Sequence, residues 1–185
     1  MEKVITFLFL NFVFAYAQPN RYVIYNTENI WNSLELDSKT GQVKQISSNP
    51  PLQIEIVPKI VTDSEKVRNA ICYPFLYRPA AWCLPAVNGR YKLYKTENLW
   101  NFLLLDTYTG MIYQVQFSTD SLHRAWWPIN EQDLRKDKTL QGSNFYLKET
   151  GNIWTFDLID NSTGDVWIVQ FSVQDDKYRW IQKAQ

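Results

Sequence analysis

Acidic residues and glycines that recur at a fixed spacing are the first candidates for chemistry. The motif D-x-x-T-G occurs three times along the chain. Its carboxylates could converge as calcium ligands or as groups of a reaction centre, but calcium takes about 6–8 oxygen ligands and each motif offers one carboxylate. An Asp that caps a turn, followed by a glycine with positive φ, explains the same spacing. We therefore predict structural turns at Asp37, Gly41, Asp106, Gly110, Asp160 and Gly164.

The remaining inventory is poor in catalytic groups. His123 is the only histidine, so a zinc site of several histidines is excluded and any Ser–His–Asp site would depend on this residue. No glycine-rich phosphate loop is present. We predict no catalytic residue, no metal and no cofactor, with a glycosidase that uses paired carboxylates as the enzymatic alternative.

An aromatic segment between two cysteines is the best candidate for binding. Cys72 and Cys83 are predicted to form a disulfide, because an exported protein with two cysteines usually pairs them. Rigid aromatic rings and an arginine are typical of surfaces that stack on sugars or bind proteins. The alternative is that the segment packs over the end of the β structure. The candidate ligand-binding residues are Tyr73, Phe75, Tyr77, Arg78, Trp82, Trp126 and Trp127.

Three repeats must position these residues. They cover 21–47, 90–118 and 144–172, and each one predicts three strands joined by two turns. In the second repeat the strand Leu99–Asp106 is apolar on both faces, which indicates that it is covered on both sides. The first repeat has Ser33 and Glu35 at matching positions, so we place it at an edge.

The fold class that follows is all-β. Residues 18–185 are predicted to form one domain of three antiparallel hairpin or meander repeats, with a disulfide-loop insert at about 50–87. A fourth strand in each repeat is plausible, since Arg124 with Trp126 resembles Arg179 with Trp180. A trefoil- or barrel-like closure is preferred, and a β-sandwich is the alternative.

Glutamines lie on strands among apolar residues. Buried amides need hydrogen-bond partners. Gln114, Gln116 and Gln170 are therefore predicted to bond to adjacent backbone or to neighbouring repeats, and a polar groove is the alternative reading.

The first 17 residues have the pattern of a signal peptide. Lys3 precedes an apolar run that is too short to span a membrane, and Ala15 and Ala17 form a cleavage site. We therefore expect a periplasmic or extracellular protein without an integral membrane span. Basic and acidic residues balance at 19 each, which disfavours nucleic acid as a partner.

The repeat resembles a known group of proteins. The pattern from Tyr91 to Ser118, Y-x-L-Y-x-T-x-N-x-W-x-F-x-x-L-D-x-x-T-G-x-x-x-Q-V-Q-F-S, is similar to a repeat of short exported Bacteroidetes proteins. The segment Arg124–Asn130 also resembles the Arg-containing strand that follows the hairpin in those proteins. The resemblance covers the three repeats and not the insert. It implies export and a β fold, and it implies no activity.

Together these observations predict an exported, non-catalytic binding module whose partner is an unknown glycan or envelope protein. The alternative is a structural or assembly component of the bacterial cell envelope, which could pair through exposed strand edges. A hydrolase is the third hypothesis.

Overall fold

The structure, a computed structural model, describes residues 18–57, 86–139, 142 and 144–185. The predicted signal peptide and most of the predicted insert lie outside the described residues. The same holds for the predicted disulfide between Cys72 and Cys83, and for five of the candidate ligand-binding residues: Tyr73, Phe75, Tyr77, Arg78 and Trp82.

The described chain is built from strands. They are β1 (Tyr22–Asn26), β2 (Asn32–Asp37), β3 (Val43–Ser48), β4 (Pro51–Glu55), β5 (Tyr91–Lys95), β6 (Asn101–Asp106), β7 (Ile112–Gln116), β8 (Ala125–Asn130), β9 (Phe145–Glu149), β10 (Thr155–Asp160), β11 (Val166–Gln170) and β12 (Trp180–Lys183). Two short 3-10 helices, Ser121–His123 and Asp176–Tyr178, precede β8 and β12. The all-β prediction is confirmed. Within these residues we find no helix with the length and hydropathy needed to cross a bilayer.

Each repeat forms its own four-stranded antiparallel sheet. The strands pair in chain order, β1 to β4 in the first sheet, β5 to β8 in the second and β9 to β12 in the third. The first two strands of each sheet pair in the same register, so that Tyr22 lies opposite Asp37 in the first sheet and Tyr91 opposite Asp106 in the second. The fourth strand expected in each repeat is present.

The second sheet lies between the other two. All six residues of β6 are buried. Phe102 and Leu104 join a core cluster with the first sheet. Leu103 and Leu105 join a second cluster with the third sheet. The prediction that this strand is covered on both sides is confirmed, and alternate side chains contribute to different layers.

The three sheets do not close into a barrel in the described part of the chain. The preferred trefoil- or barrel-like closure is therefore wrong, and the layered alternative describes the molecule. The physical reason lies on the outer faces. Ser33 and Glu35 take the places of Phe102 and Leu104 on the outer face of the first sheet, and polar side chains at these positions are costly to bury against another sheet. The first repeat is at the edge of the stack, as its composition indicated.

The same hydrogen bonds join each sheet to the next one. Ser38 O accepts from Tyr91 N at 2.9 Å, and Thr107 O accepts from Phe145 N at 2.9 Å. The turn after β2 or β6 thus holds the first residue of the following sheet. Because this contact recurs, the second junction repeats the geometry of the first.

Buried glutamines make a second recurrent link. Gln45 Oε1 accepts from Ser118 N of the next sheet, and Gln114 Oε1 accepts from Ser172 N, both at 3.2 Å. Each side-chain amide also donates to an asparagine on the preceding strand at 2.7 Å. The prediction that Gln114 bonds to a neighbouring repeat is confirmed. Gln170 instead donates to Tyr178 O within its own sheet, at 3.1 Å.

Candidate functional site

The recurrent aspartates close the turns in which they stand. Their Oδ1 atoms accept from the backbone N of the second residue after them, at 3.0, 3.0 and 2.8 Å. The glycine at the end of each turn has φ of 75–78°, a conformation in which residues with a Cβ are strained. Each aspartate thus serves the turn of its own sheet. These residues are Asp37, Gly41, Asp106, Gly110, Asp160 and Gly164.

Arginines that precede the first strand pair with two of these aspartates. Arg90 donates to Asp106 through Nε at 3.0 Å and Nη2 at 2.6 Å, and both side chains are buried. Arg21 makes the equivalent contact with Asp37, but its side chain is 45% exposed. The third repeat has Asn144 at this position. The Arg21–Asp37 pair is therefore open to solvent, whereas the Arg90–Asp106 pair is buried.

The open pair still controls the ionisation of its carboxylate. Burial raises the pKa of Asp37, but hydrogen bonds from Arg21 and from the backbone of Lys39 outweigh it, and the pKa lies below the usual value. Asp37 is thus a carboxylate at neutral pH, and its negative charge is largely offset by the adjacent guanidinium.

Trp126 and Trp127 point to opposite faces of β8. Trp126 meets Tyr113 edge to face, with 5.0 Å between ring centroids, at the junction of the first and second sheets. Trp127 lies under the guanidinium of Arg179 at 4.7 Å. Arg179 also donates to Gln114 Oε1 at 2.9 Å and pairs with Asp176. Of the two tryptophans, Trp127 is occupied by a contact between sheets, whereas Trp126 faces a cavity.

This cavity has a volume of about 290 Å³ and opens between the first and second sheets. Leu104, Tyr113 and Trp126 of the second sheet form one wall. Val43 and Ile56 of the first sheet form the other. Its floor is therefore apolar and partly aromatic.

Polar groups line the mouth of the cavity. Asp37 and its partner Arg21 stand on one side, with Gln42 and Thr40 from the turn between β2 and β3. Glu55, an exposed residue at the end of β4, stands at the rim as well. An apolar floor with a few convergent polar groups is the usual form of a small-molecule site.

The corresponding space between the second and third sheets is filled. Leu134 N donates to Thr109 O at 2.8 Å, and the Leu134 side chain lies against the turn at Gly110. Arg135 is buried beside it and donates to Asp133 at 2.7 Å. The linker after β8 thus fills the space at the second junction. Among the described residues, the corresponding space at the first junction is open.

The described residues hold little machinery for a reaction. His123 contacts Asp120 at 2.9 Å, but both side chains are about half exposed or more and lie outside the cavity. No group of three or more potential metal ligands occurs within 18–57, 86–139, 142 and 144–185. The acids of the cavity mouth are Asp37, which is tied to an arginine, and Glu55.

Sequence reasoning identified Trp126 as a candidate but missed the rest of this cavity. Arg21 carried a signal, since Arg21 and Arg90 each precede an Asp of the repeat by 16 residues. Glu55 carried no such signal, because its place beside Asp37 at the mouth of the cavity depends on how β4 pairs with β3. Comparison with known proteins gives no further assignment, because no family model, curated protein or solved structure matches the chain.

Proposed function

We propose that this protein is an exported, non-catalytic binding module whose ligand occupies the cavity between the first and second sheets. The observation that supports this proposal is the difference between the two junctions. Among the described residues, the first junction keeps a cavity of about 290 Å³ beside Trp126, while at the second junction Leu134 packs on the core and against the turn at Gly110. Because this cavity opens to solvent, a small ligand can enter it.

The composition of the cavity supports binding rather than catalysis. Its one buried acid, Asp37, is paired with Arg21 and also closes a turn. A carboxylate held in this way is a poor general base, because its low pKa disfavours proton uptake. Export follows from the pattern of residues 1–17 and belongs to the same proposal.

Trp126 and Trp127 allow a matched test. The purified protein would be screened on arrays of glycans, peptides and small molecules, and binders would be titrated against Trp126→Leu and Trp127→Leu. We expect Trp126→Leu to weaken binding at least about tenfold, as for a central aromatic contact, and Trp127→Leu to leave it within about twofold. Equal effects of the two changes, or no binder at all, would count against the proposal.

An assembly role in the cell envelope is the second candidate. The outer face of the first sheet exposes Tyr22, Ile24 and Trp31, each by 52–53%. In the second sheet the equivalent Tyr91 and Leu93 are 2% and 5% exposed because they contact the first sheet. These exposed apolar side chains, which share the face with Ser33 and Glu35, suit protein contact. Light scattering after size-exclusion chromatography would decide, since a strict monomer at high concentration counts against assembly.

A further inference from the structure

We infer that the ligand of this cavity is a neutral sugar, of the size of a mono- or disaccharide. The inference rests on the proposed function, because it names the ligand class of the same site. Three properties of the cavity lead to it: its size, the chemistry of its floor and the charge of its mouth.

The size restricts the ligand to a small molecule. A volume of about 290 Å³ lies just below the range of about 300–1,000 Å³ that is usual for small-molecule sites. Folded polypeptide does not fit in such a space. A six-membered ring, or two joined rings with one near the mouth, does.

The floor suits the apolar face of a sugar ring. A pyranose presents C–H groups on its faces and hydroxyls around its edge. Tyr113 and Trp126 provide aromatic surface, and Leu104 and Ile56 provide aliphatic surface. Amphipathic ligands bind such floors by burying their C–H faces, while the hydroxyls remain near the polar mouth.

The mouth carries acceptors and donors for hydroxyl groups. The carboxylates of Asp37 and Glu55 accept, and Gln42 both donates and accepts. Arg21 uses Nε and Nη2 on Asp37 and remains 45% exposed, so that its outer N–H groups are directed to solvent and can donate. Hydroxyls act as donor and acceptor, and they match this mixed rim better than a purely accepting or purely donating ligand does.

The charge of the mouth disfavours ionic ligands. The described residues of the mouth carry two carboxylates and one guanidinium, which leave one negative charge that repels phosphates and sugar acids. A cationic ligand meets the guanidinium of Arg21 on the same rim, and the deeper carboxylate, Asp37, is already neutralised by it. The balance therefore favours an uncharged polyol.

A charge series on one ring tests the inference directly. The full mature protein would be titrated by calorimetry and tryptophan fluorescence with glucose, galactose, mannose, maltose and cellobiose. Glucosamine and glucuronate serve as positively and negatively charged counterparts of glucose. We expect at least one neutral sugar to bind with a Kd of about 1 mM or tighter and glucuronate to bind at least about tenfold more weakly than that sugar.

Glu55→Gln is the decisive variant, because Glu55 is exposed at the strand end and its replacement leaves the core intact. The change makes the mouth neutral, so glucuronate should gain at least about threefold in affinity while the neutral sugar changes by less than about threefold. Trp126→Leu should abolish sugar binding, and Trp127→Leu, with its melting temperature as a folding check, should preserve it.

The outcomes separate the inference from the proposed function. Preferential binding of glucosamine or of glucuronate would overturn the inference, and so would binding of no sugar in the panel. If a non-sugar small molecule then bound and depended on Trp126, the binding module would stand and only its ligand class would be wrong. If nothing bound in a manner that depends on Trp126, both would be wrong.

Discussion

The buried glutamine between the second and third sheets gives the sharpest test of the stacked architecture. Gln114 is fully buried and serves three groups at once. Its Nε2 donates to Asn101 Oδ1 at 2.7 Å, and its Oε1 accepts from Ser172 N at 3.2 Å and Arg179 Nε at 2.9 Å. The third repeat has Ile168 at the equivalent position, so Gln114→Ile inserts a side chain that this fold already carries there.

The expected loss can be worked from these contacts. Each buried polar group that loses its partner costs about 1–3 kcal/mol. Three groups lose theirs, and burying the isoleucine side chain returns about 1.5–3 kcal/mol. We therefore expect Gln114→Ile to lower the free energy of unfolding by about 3 kcal/mol, which corresponds to about 6–12 °C in melting temperature for a chain of this length.

Two other positions control for the nature of the substitution. Gln45 serves Asn32 and Ser118 and no arginine, so Gln45→Ile should lower the free energy of unfolding by about 1 kcal/mol. Ile168 is 40% exposed on the outer face of the third sheet. Ile168→Gln should therefore change the free energy of unfolding by less than about 0.5 kcal/mol.

Urea unfolding followed by circular dichroism would measure the series, with equal m-values as the condition for comparing midpoints. We expect the loss in free energy of unfolding to be largest for Gln114→Ile, smaller for Gln45→Ile and smallest for Ile168→Gln. Equal urea midpoints for Gln114→Ile and Gln45→Ile would refute this expectation, because the additional hydrogen bond from Arg179 to Gln114 would then contribute nothing.

Two further comparisons use the repeat as its own control. Arg90→Gln removes the cation that pairs with the buried Asp106 and should lower the free energy of unfolding by about 3–5 kcal/mol. Arg21→Gln removes a solvent-exposed side chain and should have a much smaller effect in the same melts. Similar losses for the two variants would show that burial does not explain the difference between the two ion pairs. Gly110→Ala should destabilise the protein more than Gly164→Ala, although both glycines have φ of 75°. A Cβ at position 110 comes within 3.1 Å of two side chains, whereas a Cβ at position 164 meets nothing within 4 Å. Identical melting temperatures of the two variants would contradict this prediction.

The layers of the core could be predicted from sequence because strand alternation is local. In β6, Phe102 and Leu104 alternate with Leu103 and Leu105, and an apolar residue at every position means two covered faces. The same logic placed the first repeat at an edge through Ser33. These predictions needed only the period of two that the pleat imposes.

The way the sheets join could not be predicted in the same manner. A count of three repeats fits a ring and a stack equally well, and the difference depends on which surfaces meet. The backbone bond from Tyr91 to Ser38 joins residues far apart in sequence and leaves no trace in residue type. Polar residues on the outer faces, such as Glu35, distinguish a stack from a ring. They could be used for this prediction only if the surface that they face were already known.

The cavity was beyond sequence reasoning for a related reason. Arg21 precedes β1, Glu55 ends β4 and Trp126 lies in β8 of the second sheet, and their convergence depends on the register of each strand pair. Trp126 was singled out for its residue type alone. Its neighbour Trp127, chosen on the same ground, faces Arg179 at the other junction, because adjacent residues of a strand point to opposite faces.

The outer face of the third sheet lacks the residues that join each of the other sheets to the next one. Sheets that have a successor carry a tyrosine whose hydroxyl meets the backbone of the next sheet, as Tyr25 does at Leu93 N. They also carry the buried glutamine and, beside it, a leucine in the core. The third repeat has Lys148, Ile168 and Asp157 at these positions. A lysine and an aspartate across one strand pair make the outer face of the third sheet costly to bury, and atypical outer units of this kind are usual in repeat arrays.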